Sequence, residues 1–219
     1  MFSAASMSAS KNNTILLLGA GGHAKACIDV IEQAGGFTIA GVVGLPEEVG
    51  NSVLGYPVLG ADTDLEVLLA QYPYALVTMG QIKTADPRIR LYTQLVEYCQ
   101  CPPAIISPQA YVSPHASVGV GTIVFHGAII NAGAVVGKNC IVNSLSLVEH
   151  DVVVGDHCHV ATGARINSGV RVGEGSFLGS GSTVLQGLVI GRNCVIGMGQ
   201  PVLADCADGV QLPAIKKCR

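Results

Sequence analysis

The stretch "VNSLSLVEHDVVVGDHCHV", residues 142–160, decides the fold. Val142, Val148, Val154 and Val160 stand six apart, a spacing that neither the two-residue period of a strand nor the 3.6-residue period of a helix produces. Stepping outward by six gives Ile106, Val112, Val118, Val124, Ile130 and Val136 on one side. On the other it gives Ile166, Val172, Leu178, Val184, Ile190, Ile196 and Val202. Seventeen hexads therefore run in phase, each opening on an aliphatic residue. The fifth place is mostly small, as at Ala128, Ala134, Cys140, Ser146, Cys158 and Ala164. The second is often Gly or Asn, read as residues that tolerate a bend. Such hexads predict a β-helix of three short strands per turn, eighteen residues to a coil, with coils stacked at about 4.8 Å. The aliphatic residue fills a narrow interior and the small one lets it fit. Cys140, Cys158, Cys194 and Cys206 all fall at the fifth place, which makes them core rather than chemistry.

The charged triplet in that wall calls for a second reading. Glu149 and His150 take the second and third places of their hexad, at or beside a corner, and Asp151 follows. Eighteen-residue stacking sets His150 between Ala132 and Ser168, and Glu149 between Asn131 and Asn167. An outward histidine on a β-helix is commonly plain surface. A neighbouring carboxylate that holds its tautomer, with a strand amide close by, turns it into the kit for acyl transfer: base, orienting partner and oxyanion donor.

Composition narrows the rest. Charged residues are 12% of the 219, about half the usual share, which implies an exterior partly covered by copies of the chain. A net charge of −3 and the absence of a dense Lys/Arg cluster give no footprint for nucleic acid. No apolar run approaches the ~20 residues of a membrane span. The leader, residues 1–13, lacks an apolar core and reads as a disordered tail rather than a signal peptide. Eight cysteines without a CxxC read as reduced thiols of a cytoplasmic protein, with no metal site.

Residues 14–104 are expected to form a small α/β domain, Rossmann-like in outline. "TILLLGAGGHAKACIDVIEQAG" (14–35) is a strand, a glycine turn and a helix. The turn, with Gly19, Gly21, Gly22 and His23, lets backbone amides approach a phosphate at the helix N-terminus. The second strand, "FTIAGVVGL", ends without the acid that would hold an adenosine ribose, which argues against NAD. A third strand, "YALVTMG", ends at Gly80, and the helix "DPRIRLYTQLVEYC" follows.

"NSLSLVEHDVVVGD" (143–156) and "HVATGARINSGVRVGEGSFLGSGSTVL" (159–185) resemble the family of sialic acid O-acetyltransferases and UDP-4-amino-sugar N-acetyltransferases of the bacillosamine-pathway type. The resemblance implies a left-handed parallel β-helix over 105–207, a homotrimer, and acetyl-CoA in the groove between neighbouring prisms. It implies His150 as general base, Glu149 as the acid that tunes it and Asn143 as a further active-site residue. His159 is placed near the thioester and the Ser168 amide at the acetyl carbonyl. Within the C-terminal tail, 208–219, Pro213, Ala214 and Lys216 are implied to border coenzyme A. The N-terminal domain is implied to hold a nucleotide-activated amino sugar, its phosphates at Gly19–His23 and with Gly80 nearby. His115, His126 and His157 match no functional position and are expected at the surface. The chain departs from the family at Gly44 and Leu45, where relatives carry two Asp, and at Leu212, where they carry Gly.

The function so implied is acetyl-CoA-dependent N-acetylation of the 4-amino group of a UDP-linked deoxy-amino sugar, by direct attack on the thioester. The alternatives are sialic acid O-acetylation, N-acetylation of a GDP-linked amino sugar, and a silent β-helix scaffold or carbohydrate-binding module. A zinc lyase, using His126, His150 and His159, has a spacing that permits it and no matching motif.

Overall fold

The computed structural model describes residues 13–98 and 102–214. Most of the expected leader and Lys216 lie outside the described residues. The N-terminal unit runs β1 (Thr14–Leu18), α1 (Gly22–Ala34), β2 (Thr38–Gly44), β3 (Ser52–Val53), β4 (Tyr56–Ala61), α2 (Leu65–Leu69), β5 (Tyr74–Val77) and α3 (Asp86–Tyr98). The sheet order is β3-β4-β2-β1-β5, parallel except between β3 and β4. The chain winds to one side of β1 and then crosses to β5 on the other. This is the topological switch at which open α/β sheets hold ligands, beyond the carboxyl ends of their strands. β3, β4 and α2 have no counterpart in the sequence reading.

α1 forms because Ala24, Cys27, Ile28 and Ile31 recur on one face, and all four are buried. It ends at Gly35, whose φ of 69° lets its N–H return to the Ile31 carbonyl. Leu91, Tyr92 and Leu95 of α3 bury against Leu16, Leu18 and Val77 on the other side of the sheet.

From Ile105 the chain coils as a left-handed β-helix with three faces. The first carries the strands Ile105–Ile106, Ile123–Val124, Ile141–Val142, His159–Val160, Phe177–Leu178, Val195–Ile196 and Gln211–Leu212. The second includes Leu147–Val148 and the third Val153–Val154. Strands pair with those eighteen residues away, as Ile123 does with Ile105 and Ile141. The interior is the expected column, from Val124 through Ile130, Val136, Val142 and Val148 to Val202. The end differs. Gln211 and Leu212 pair with Val195 and Ile196, two residues short of a full coil, so the stack runs past 207 to Leu212. Cys206 accordingly pairs with Ile190 and fills an inward first place instead of a fifth.

Two details of the bend differ from the sequence reading. The left-handed backbone belongs to the fourth place: Gly163, Gly169 and Gly175 adopt it, but so do Leu145 (φ 59°), Asp151 (φ 60°) and His157 (φ 59°). The second-place glycines serve close approach instead. A Cβ on Gly173 would lie 2.6 Å from Arg192 N and Gly191 C in the next coil.

The sixth-place residues of the first face point out of the prism and dock the N-terminal unit. Ile105, Ile123 and Ile141 bury with Cys27, Ile28 and Ile31 of α1. Around that apolar seam, Arg88 is almost fully buried and donates from Nη2 to Asn139 O (2.6 Å) and Oδ1 (2.9 Å). His126 spans Ser107 Oγ (2.6 Å) and Asp29 Oδ2 (2.9 Å). His157 is buried, contacting Asn139 Nδ2 through Nδ1 (2.9 Å) and Tyr92 edge-on. Neither His126 nor His157 is therefore the plain surface residue expected, whereas His115 is exposed.

Gly173→Ala should lower stability by about 3 kcal/mol or more, since the added methyl meets backbone that cannot move aside. Gly163→Ala, with open space but a positive φ, should cost only about 1–2 kcal/mol. Thermal midpoints check this; equal losses would assign the second-place glycines to backbone conformation instead.

Candidate active site

The carboxyl ends of β1, β2 and β5 open on a cleft of about 440 Å³ floored by Gly19–Gly22 and walled by His23, Gly44, Leu45, Glu48, Met79 and Gly80. Thr78 Oγ1 donates to Gly19 O (2.8 Å) and ties the glycine loop to the end of β5. Gly19, Gly21, Gly22 and His23 of the glycine turn, together with Gly80, all line this one cleft.

His23 connects the cleft to the prism. Its ring lies 5.4 Å from that of Phe125 and 6.2 Å from that of His159. His159 sits on the outer side of the first face, buried, and its Nδ1–H donates to Gln81 O (2.8 Å). A carbonyl only accepts, so the proton is on Nδ1 and Nε2 is left as an acceptor, 3.4 Å from Asn143 Nδ2. Gln81 is itself pinned, its Nε2 donating to Gly175 O (2.9 Å). Burial, with the Arg88 charge adding to it, pushes His23 down to about 4. Burial likewise pushes His159 down to about 3, against the hydrogen bond to Gln81. Both imidazoles are neutral at pH 7.

His150 stands elsewhere, at the corner between the second and third faces. Its side chain is 57% exposed and its Nδ1 meets Asp151 Oδ2 at 2.8 Å. Glu149 is otherwise engaged: Oε2 accepts from Asn131 Nδ2 (2.9 Å) and from the His150 backbone N–H (3.2 Å). The acid touching the ring is thus Asp151, while Glu149 braces the corner across two coils. The Ser168 N–H, one coil on, has no acceptor among the described residues.

Comparisons with known proteins agree with this anatomy. Residues 14–95 match the PglD N-terminal domain, 133–168 the bacterial transferase hexapeptide (six repeats), and 169–204 the hexapeptide repeat of succinyl-transferase. A histidine-to-asparagine variant of perosamine N-acetyltransferase from Caulobacter crescentus, solved with CoA and GDP-perosamine, is 33% identical over 92% of this chain and 93% of its own, with a TM-score of 0.86. The chain belongs to this family of sugar N-acetyltransferases. It is an acetyltransferase. The acetyltransferase domain of PglB from Neisseria gonorrhoeae, solved with acetyl coenzyme A, is 28% identical over 92% of this chain and 96% of its own (TM-score 0.84). A search of curated protein sequences gave no significant match.

Within one chain of the acetyltransferase, the expected site residues fall into three groups. Gly19, Gly21, Gly22, His23, Gly80, His159 and Asn143 gather where the domains meet. His150, Glu149 and Ser168 occupy the next corner, between the second and third faces. Pro213 and Ala214 follow the last strand of the first face. His126, His150 and His159 do not converge in one chain, and among the described residues no group of His, Cys, Asp or Glu could hold a metal. No helix among them is long and apolar enough to cross a membrane. The sequence reading missed Asp151, whose only signal was adjacency, and Gln81, which acts through its main chain.

The lowered histidines set a pH dependence. Unfolded, each titrates near the ordinary imidazole value of 6.5; folded, it stays neutral to about 4 (His23) or 3 (His159). The unfolded chain therefore binds more protons below pH 6.5, and stability falls on acidification. The loss should be on the order of 2 kcal/mol per histidine by pH 4.5, and absent above pH 7. His159→Gln should flatten the thermal midpoint between pH 6.5 and 4.5; an unchanged slope would show that His159 is not buried neutral.

Proposed function

We propose that the acetyltransferase transfers the acetyl group of acetyl-CoA to the 4-amino nitrogen of a nucleotide-linked deoxy-amino sugar, in the cytoplasm, as a homotrimer without a metal. The single observation that carries the mechanism is the 2.8 Å contact between His150 Nδ1 and Asp151, which leaves Nε2 free at an open corner. A carboxylate on Nδ1 holds the proton there and stabilises the imidazolium once Nε2 has taken a second. Two of the perosamine N-acetyltransferase structures with CoA and GDP-perosamine are histidine variants, which supports a histidine at the reaction centre.

The neutral amine attacks the thioester carbon, and the C–N bond forms as the carbonyl oxygen gains charge. The unpartnered Ser168 N–H suits that oxyanion. His150 Nε2 takes the proton the nitrogen must lose. The C–S bond then breaks, and the imidazolium returns the proton to the departing thiolate. No acyl-enzyme is required: Cys140, Cys158 and Cys194 are buried in the prism, and burial pushes the Cys140 thiol up to about 11.

A trimer supplies what one chain lacks. His150 and the Asn143–His159 pair stand at different corners, so a neighbouring prism joins one chain's base to another's cleft. Sialic acid, which is not linked through a nucleoside diphosphate, gives the glycine loop at α1 no such role. UDP-linked and GDP-linked sugars both fit it. Perosamine N-acetyltransferase, solved with CoA and GDP-perosamine, supports a nucleotide-linked amino sugar as the acceptor.

Coenzyme A release from acetyl-CoA with UDP- or GDP-linked 4-amino sugars tests this reading. His150→Ala should lower kcat about 10²–10⁴-fold with the oligomer intact. Asp151→Asn should lower it about 10–10²-fold, while Glu149→Gln should do less. Near-normal turnover by His150→Ala would remove it as the base.

A further inference from the structure

The cleft contains a carboxylate that no residue at the end of β2 provides by position. β2 closes on Gly44 and Leu45, neither of which can accept a hydrogen bond through its side chain. The next residues, Pro46–Glu48, form one 3₁₀ turn that brings the chain back over the strand end. Glu48 thereby points into the cleft, and its Oε2 accepts the Leu45 backbone N–H at 2.8 Å.

The position it reaches is informative. A Cβ built on Gly44 would lie 2.7 Å from Glu48 Oε2 and 2.9 Å from the Cβ of Ala20 in the glycine loop. The Glu48 carboxylate therefore occupies the space a side chain at 44 would fill, directly beside the loop. Gly44 is needed for that close approach, since its φ lies outside the left-handed range. The remaining oxygen, Oε1, makes no hydrogen bond among the described residues that competes for it, and Glu48 is half-buried. An acceptor-only group, pinned beside a phosphate-binding loop at the end of the second strand, is complementary to sugar hydroxyls on the nucleoside side of the phosphates.

We propose that Glu48 receives the ribose hydroxyls of the nucleotide, the 2′-hydroxyl included, and so restricts the acetyltransferase to ribonucleotide-linked sugars, UDP or GDP, over the deoxyribose-linked dTDP class. The inference rests on the nucleotide-sugar reading above and adds to it the class of nucleotide. His23 marks the other side of the loop, toward His159 and the prism, so the hexose extends that way and the nucleoside extends toward Glu48. A site built to hydrogen-bond a hydroxyl rejects the analogue lacking it, because the polar group is then left unpaired.

The test is equilibrium binding of UDP, 2′-deoxy-UDP, GDP and 2′-deoxy-GDP to the full chain and to Glu48→Ala. For whichever base binds, the ribonucleotide should bind about tenfold or more tightly than its 2′-deoxy form. Glu48→Ala should bring the ratio near one, chiefly by weakening the ribonucleotide, and Glu48→Gln, which can still cap Leu45, should lower the ratio with an unchanged thermal midpoint. Equal affinities for the two forms in the unsubstituted protein would overturn the inference while leaving the acetyltransferase reading in place. So would a Glu48→Ala variant that loses both forms equally, which would make Glu48 a brace for the turn. If neither UDP nor GDP binds, the nucleotide reading falls and this inference falls with it.

Discussion

One constraint underlies the whole molecule: backbone packed on backbone every eighteen residues, with a single aliphatic side chain filling the space inside each strand. The second-place glycines show how tight this is, because one methyl on Gly173 would overlap the coil below. Such a prism has no freedom to drift in register, so each side chain that points outward is fixed relative to those one coil above and below. Glu149 can therefore bond Asn131 across a coil, and His150 can hold one place at a corner. The scaffold is rigid where the proposed chemistry needs rigidity.

The same regularity creates a flat apolar strip on the first face, which the chain buries against α1. Docking there does more than remove Ile105, Ile123 and Ile141 from water. It sets the glycine loop beside His159, whose Nδ1 is bonded to Gln81 O, so the cleft opens toward the prism wall. The cost is a buried Arg88 whose guanidinium, pushed down to about 10 by burial, finds its acceptors on Asn139 alone among the described residues. Burial first, and the Arg88 charge beside it, disfavour protonation of His23 and His159.

The inward column could be read from the sequence because the hexad is written in first-place aliphatics, and nothing else produces that period. The glycine turn and its helix were legible for a similar reason, since phosphate-binding geometry needs those residue types in that order. Three things were not. His150 has an acid on each side, and only the left-handed backbone at Asp151 decides which one meets the ring. The domain seam is carried by sixth-place residues, a column that hexad counting passes over. Glu48 lies four residues past the place where a ribose-binding acid is looked for, and a 3₁₀ turn brings it back. In each case the local backbone, rather than distance along the chain, sets which side chains meet. β3, β4 and α2 escaped because short strands and a five-residue helix carry too little periodicity to read.

The most direct measurement is mass spectrometry of the products formed from acetyl-CoA and a panel of UDP-, GDP- and dTDP-linked amino sugars, with fragmentation to locate the new group. The account expects one acetyl group on the amine nitrogen of a ribonucleotide-linked sugar, formed in step with free coenzyme A. Acetylation of a hydroxyl alone, or no acetylated product from any member of the panel, would contradict it.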